Sequence, residues 1–297
     1  MRIANIAEFP FKEFAWALYA KVFDSDVFSR AAQVAFYFSF ALFPLLYFLV
    51  SLFGIVIESS DGLRNELFSY LRQIMPLAVF DLVKRTVEEI VVNSTGGKAT
   101  LGLAVAVWSA SAGVDAVRIA LNDIYGLRDS RYWFKTKAQS LLLTLVVSVL
   151  TAFVLAIVFY GWQLFQYSLA SIGLQVTSPL ILVSIQWISI LLIMLFACEI
   201  IYNLLPDFKK FRWVWITPGS VVAILLWIIL TTGFRTYLGF FNSYNKAYGS
   251  LGAVIIMMLW LYLTASALMI GGAINAVLHD MREKAENLES KTESPST

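Results

Sequence analysis

The sequence predicts an all-α polytopic membrane protein with six transmembrane helices, and three observations carry that prediction. Of 297 residues, 59% are hydrophobic and 14% are charged, against roughly 25% charged in an ordinary soluble domain. A soluble chain this apolar could not cover its own surface, whereas lipid can. Six stretches, 34–57, 99–121, 138–160, 179–204, 214–234 and 250–278, reach the roughly 20 mostly apolar residues that a helix needs to cross a hydrocarbon core about 30 Å thick. Lastly, the basic residues concentrate in alternate connections, as the positive-inside rule requires of a chain crossing a bilayer repeatedly.

Residues 1–33 form an N-terminal segment. Within it Phe11, Phe14, Ala15, Leu18 and Val22 share a helical face opposite Lys12, Glu13 and Lys21, which suits a helix lying in the headgroup region. The first span follows, with Pro44 midway along it; proline removes a backbone hydrogen bond there and predicts a kink. The long connection 58–98 carries two amphipathic stripes. Leu63, Leu67, Tyr70, Leu71 and Ile74 form one, and Val83, Val87, Ile90 and Val91 the other, with Pro76 between them and Gly96-Gly97 at the end. They predict two short helices that rest on the membrane, cap the bundle or pack against the spans.

Between Lys137 and Asp207 the only charged side chain is Glu199. That stretch is long enough for two spans joined by an uncharged turn around 161–178. After residue 278 the chain becomes charged, and 279–297 reads as a tail whose Ser/Glu/Pro-rich end is disordered. The N-terminus, 118–137, 209–212 and the C-terminal tail carry about twice as many Lys and Arg residues as the opposite connections. Both termini are therefore expected in the cytoplasm. The first span starts too late, and lacks the small-residue cleavage site, to be a signal peptide.

Several function classes lose support. The net charge is only +2, so no electrostatic footprint for nucleic acid exists. Cys198 is the only cysteine and His279 the only histidine, so neither a disulfide nor a His/Cys zinc site can form within the chain. No phosphate-cradling glycine loop, nucleophile elbow or HExxH motif occurs. No enzymatic activity, metal or cofactor is expected.

An ionisable group in a span costs about 2.5–3.5 kcal/mol at its centre on insertion scales, which makes it a functional candidate. Asp115 and Glu199 are the two. Each falls within about 10 Å of the cytoplasmic end of its span, by the helical rise. Gln33, Arg118, Asn203 and Asn275 fall near the same level. This set could form a cavity open to the cytoplasm that binds a substrate or a proton. Equally, Asp115 and Arg118 could pair at i,i+3 while the amides bond between helices and hold the bundle together. Ser109 with Gly113, Gly249 with Ala253, and Ala267 with Gly271 have the four-residue spacing of small residues that lets helices approach closely in lipid. Gly252 belongs to the same tightly packed entry into the last span.

Several motifs together resemble one family. Arg30-Ala31-Ala32-Gln33-Val34-Ala35-Phe36-Tyr37, followed by Phe43-Pro44-Leu45-Leu46, is similar to the opening signature of the YihY/BrkB membrane proteins. So are Trp108-Ser109-Ala110-Ser111 with Asp115-Ala116, Ala120-Leu121-Asn122 with Tyr125, and Ile201-Tyr202-Asn203 with Leu205-Pro206. Pro218-Gly219 with Trp227, Tyr248-Gly249-Ser250-Leu251-Gly252-Ala253, Trp260-Leu261-Tyr262 and Gly271-Gly272-Ala273-Ile274-Asn275 complete the set. The resemblance covers roughly 15–280 and departs at Gly272, near which many members carry an acid. It implies a six-span protein of the bacterial inner membrane, linked in some members to serum resistance and in others to lipid or lipopolysaccharide precursors. The family once bore the label ribonuclease BN, which the residue inventory here does not suit, since metal-assisted RNA hydrolysis needs ligands.

The expected function is that of a transporter or flippase-like protein handling an amphiphilic solute or lipid. The alternative is a non-transporting envelope structural or assembly protein docking a periplasmic partner. Membrane lipids are the expected partners, together with a periplasmic protein or a second copy of the chain. Nucleic acid is not among them.

Overall fold

The computed structural model describes residues 10–59, 61–93, 99–171, 179–209, 213–240 and 250–293. Among the described residues all regular structure is helical. The helices are α1 (Phe11–Asp24), α2 (Val27–Ser59), α3 (Asp61–Ile74), α4 (Leu77–Asn93), α5 (Ala99–Ile124), α6 (Trp133–Ser171), α7 (Pro179–Leu204), α8 (Pro218–Phe240) and α9 (Ser250–Glu293). Four segments, Trp133–Val154, Ser184–Leu204, Pro218–Phe240 and Leu251–Ala285, are long and apolar enough to cross a membrane among the described residues. The other two expected spans lie in α2 and α5, whose side chains are described only in part.

Several helices outrun the apolar runs that announce them. α2 starts at Val27 because Val27, Ala31 and Val34 form a completely buried stripe at i, i+4 and i+7, the spacing of one helix face. Pro44 lies inside α2, which continues past it. α6 continues through the expected turn at Gly161 to Ser171. α9 continues through His279 to Glu293, since its Ala, Glu, Lys, Arg and Leu residues are good helix formers without apolar neighbours. The end of the predicted disordered tail, 294–297, lies outside the described residues, as do Gly96-Gly97 and Gly249.

Two cores hold the bundle. At the end formed by α1, the α5–α6 and α7–α8 connections and the latter half of α9, Val117, Leu121 and Ile124 of α5 bury against Val27 and Val34 of α2 and Met269 and Ala273 of α9. Leu18 and Val22 of α1 pack on this core, while Trp16, Tyr19 and Phe23 form an exposed, contacting row. The expected apolar face of α1 is thus divided: Leu18 and Val22 turn inward, whereas Phe11 stays exposed. Lys21 anchors the helix to Asp280 at 2.8 Å.

The second core lies at the opposite end. Phe68, Met75, Val79, Phe80, Val83 and Val87 of α3, α4 and their junction bury against Phe234 of α8 and Ile256 and Met257 of α9. Pro76 sits buried in the junction. Leu71, Val83 and Val87 of the two stripes therefore pack against the bundle. The side chains of Leu63, Leu67, Tyr70, Ile90 and Val91 lie outside those described.

Candidate functional site

The first polar set begins with how α5 ends. Gly126 has φ +66°, the left-handed conformation that glycine adopts without strain. Leu127 N–H donates to the Asn122 carbonyl at 2.8 Å and Gly126 N–H to the Asp123 carbonyl at 3.1 Å, a Schellman ending. This reversal brings Asp129 back beneath the last turns of α5. There Asp129 accepts from Arg118, in close contact, and from Asn122 at 3.3 Å.

Arg131 extends the set. Its Nε lies 2.9 Å from Asp129 and 3.4 Å from Asp207. Its other nitrogens donate to Gln139 at 2.6 Å and to the Leu205 carbonyl at 3.0 Å. Asp207 accepts from the Ser130 backbone and hydroxyl, both at 2.9 Å, while its own N–H donates to Asn122 at 2.8 Å. On the far side of Arg118, Asp115 takes Lys137 at 3.1 Å, the Ser140 hydroxyl at 2.5 Å and Arg118 Nε at 3.6 Å. Lys137 also donates to the Ser111 hydroxyl at 2.6 Å and stands over the Trp108 ring at 4.6 Å.

Charges of both signs thus alternate from Lys137 through Asp115, Arg118, Asp129 and Arg131 to Asp207, joining α5, the α5–α6 connection, α6 and the chain leaving α7. Pairing suits half-buried charges, which would otherwise be costly. The side chain of Arg131 is only 9% exposed. Burial alone would raise the carboxyl pKa of Asp129, but hydrogen bonds from Arg131 and the charges of Arg131 and Arg118 outweigh it and hold the acid below its ordinary value. For Asp207 the Ser130 backbone N–H leads the same downward shift, against burial and the nearby Asp129 charge.

The second set surrounds Glu199, whose residue is 1% exposed. Thr217-Pro218-Gly219-Ser220 opens α8, with Pro218 at the first helical position, where a missing N–H costs nothing. Thr217 caps the helix, its hydroxyl accepting the Ser220 N–H at 3.3 Å. Glu199, from α7, takes the part of a capping-box acid. One carboxylate oxygen accepts the Thr217 N–H at 2.6 Å, the Thr217 hydroxyl at 3.1 Å and the Ser220 hydroxyl. The positive end of the helix dipole also favours an anion there.

Asn203 and Asn275 flank this acid. Asn203 donates to Glu199 at 3.3 Å and exchanges two backbone bonds with Val214, at 3.0 and 3.1 Å. Asn275 accepts the Gly219 N–H at 2.8 Å and donates to the Thr217 hydroxyl at 3.0 Å. Burial, followed by the charge of Glu199, raises the pKa of the nearby Tyr125 hydroxyl.

The six residues singled out in the sequence therefore divide. Glu199, Asn203 and Asn275 lie together; Asp115 and Arg118 belong to the other set. Gln33 belongs to neither, accepting from Arg30 at 3.1 Å, while Arg30 pairs with Asp123 at 2.7 Å. Asp115 and Glu199 share no partner among the described residues. Sequence reasoning missed Lys137, Ser140, Asp129, Arg131 and Asp207, which read as ordinary flanking charges and hydroxyls. Thr217 and Ser220 were missed as well, and nothing local says that the N–H groups at this helix start meet Glu199.

Of the small residues, Gly113 stands at ordinary contact, 3.5 Å from Phe38 to a built Cβ, whereas Gly271 and Gly272 are tighter. Gly271 of α9 faces Gly219 of α8, and a Cβ on Gly271 would lie 2.5 Å from the Gly219 carbonyl and 2.8 Å from Ala223 Cβ. At Gly272 a Cβ would meet Leu121 at 2.7 Å. Gly252 is buried.

An open groove of about 450 Å³ lies beside the first set, between the start of α6 and the end of α7. Among the described residues no group of three His, Cys, Asp or Glu side chains is placed to hold a metal ion.

The ribonuclease-like protein YfkH of Bacillus subtilis (strain 168) is 30% identical over 257 residues, covering 86% of this chain and 91% of the relative. A UPF0761 membrane protein of Tolumonas auensis is 25% identical over 71% of this chain and 70% of its own. A UPF0761 membrane protein of Xanthomonas campestris pv. campestris (strain B100) is 25% identical over 91% of this chain but 61% of its own length. No solved structure matches. The family model described as Virulence factor BrkB matches residues 18–296, nearly the whole chain including both polar sets, and the protein belongs to that family of membrane proteins.

Proposed function

We propose that the protein is a transporter or flippase-like protein of the bacterial cytoplasmic membrane that handles an amphiphilic solute such as a lipid. In this reading six helices, α2 and α5 to α9, span the bilayer with both termini inside, and the chain performs no enzymatic chemistry. The observation that carries the proposal is the run of alternating charges from Lys137 to Asp207. It bridges separate helices at the basic end of the bundle. Apolar packing would close that end more cheaply, since buried ion pairs give little net stability. Ion pairs can, however, exchange partners as helices shift, and interfaces of this kind repack between discrete states. The run then acts as an inner closure, with Asp115 within it and Glu199 fastening α7 to the start of α8.

A second reading, an envelope assembly protein that transports nothing, is favoured by the saturation of both acids with internal donors. Its docking face fares less well, because Val79, Val83 and Val87 are already covered by α8 and α9.

The test is the full chain in liposomes with a panel of head-group-labelled lipids. At least one lipid should cross faster than in protein-free vesicles, and Arg131→Gln should change its rate. Movement of none, by protein shown to be folded and inserted, would leave the assembly reading.

A further inference from the structure

The groove between α6 and α7 has a polarity gradient. Lys135, Ala138, Gln139 and Leu142 line it from α6, at the i, i+3, i+4, i+7 spacing of one helical face. Leu204, Pro206, Asp207 and Phe208 line it from the end of α7. From Lys135 to Leu142 the face runs from charge to hydrocarbon over about 10 Å by the helical rise.

Its charges are not balanced. Asp207 is consumed by Arg131 and Ser130. Lys135 is exposed, and its ammonium has no hydrogen-bond or ion-pair partner among the described residues. With Arg131 against Asp207, the lining keeps one uncompensated positive charge. Just before Lys135 in the chain, Tyr132, Trp133 and Phe134 are all exposed, the aromatic composition of a headgroup level. At the other end, Leu142 is 62% exposed, and Leu204 beside it is exposed too. About 450 Å³ lies within the ~300–1,000 Å³ typical of small-ligand sites.

We propose that this groove is a binding site for an anionic phospholipid, with the phosphate at Lys135 and an acyl chain along Leu142 and Leu204. Two features separate this occupant from a soluble phosphate compound: the apolar lining residues Leu142 and Leu204 are themselves exposed, and among the described lining residues Lys135 is the one cation without a carboxylate, where a closed polar pocket would offer several donors. The inference does not depend on transport. A resting protein or a scaffold would hold the same lipid.

Native mass spectrometry of the full chain, released from detergent with equal amounts of phosphatidylglycerol and phosphatidylcholine, tests it. Phosphatidylglycerol should be retained preferentially. Lys135→Gln should lower that preference by about fivefold, the worth of one basic residue near an anionic headgroup, and Leu142→Asn should weaken both lipids. Thermal melting controls for folding, and Lys284→Gln, an exposed lysine on α9, serves as the variant expected to change nothing. Equal retention of the two lipids, or unaltered preference in a folded Lys135→Gln protein, would overturn the site. Displacement of phosphatidylglycerol by millimolar glycerol 3-phosphate would overturn the lipid assignment in favour of a soluble phosphate ligand.

Discussion

The ammonium of Lys137 lies 3.1 Å from the Asp115 carboxylate while standing 4.6 Å from the centre of the Trp108 ring. One cation therefore meets a carboxylate and the negative face of an aromatic ring, both presented by α5. A cation over a ring is stabilised most when water is excluded, and the Lys137 side chain is largely covered. The pair fixes the start of α6 against the end of α5.

Removing the charge of Asp115 should therefore destabilise the protein. Asp115→Asn leaves the largely covered Lys137 without its carboxylate, and a loss of about 1–3 kcal/mol is expected in detergent unfolding. Lys137→Met should cost less, because Ser140 and Arg118 still reach Asp115. In a double-mutant cycle the two sites should couple by about 0.5–3 kcal/mol. Additive effects would show that the contact contributes nothing. If the run of charges is a transport closure, Asp115→Asn should also change transport rate beyond what its stability loss predicts.

Glu199 offers a sharper contrast. Glu199→Gln keeps size but replaces a charged acceptor by a neutral one facing Thr217 and Ser220. The helix-terminal interaction weakens, and a loss of about 1–2 kcal/mol is expected, with Ser220→Ala costing less. Unchanged melting for both would mean that α7 and α8 are held by apolar packing alone.

Acid should loosen the end of the bundle that carries Asp129 and Asp207. Both carboxyls are held below the ordinary value of 3.8. A depressed folded pKa means that the folded state binds the proton less readily than the unfolded chain. Its contribution is fully present above 3.8 and is lost as pH falls through the folded value. Melting temperature in detergent should be flat above about pH 5 and decline below the ordinary carboxyl range. The decline should shrink in Asp129→Asn. A decline of equal size in that variant would assign it to other acids.

The difference between legible and illegible features is one of range. Apolar length announced the helices because crossing lipid imposes a local, contiguous requirement. Pro76 marked a boundary for an equally local reason. Asp115 and Glu199 stood out because a carboxylate within an apolar run is costly wherever the run packs. Their partners were hidden, because Lys137 and Thr217 reach these acids only through tertiary contacts. The Gly126 turn, which returns Asp129 to Arg118, depends on one residue's backbone conformation. The end of α9 is a different case: its charged helix formers stop the membrane signal without stopping the helix.

The last prediction concerns glycines. A Cβ on Gly219 would fall on the Gly271 carbonyl oxygen and lie 2.5 Å from the Asn275 side chain. Both obstacles are fixed, one being backbone and the other held by the Gly219 N–H itself. On Gly271 the obstacles are the Tyr202 hydroxyl, the Gly219 carbonyl and Ala223, and Tyr202 is pinned through its bond to the Leu268 carbonyl at 2.7 Å. Neither side can yield without separating α8 from α9, so Gly219→Ala and Gly271→Ala should each cost about 1–3 kcal/mol, the usual penalty of overpacking. Gly233 and Gly239, in the same helix as Gly219, have nothing within 4 Å of a built Cβ. Alanine there gains about 0.5–1 kcal/mol of helix preference and should leave stability equal or higher. Membrane-extracted yield and melting temperature of the four variants check the contrast. Tolerance of alanine at Gly219 as good as at Gly233 would mean that α8 and α9 do not approach as closely as their backbones indicate.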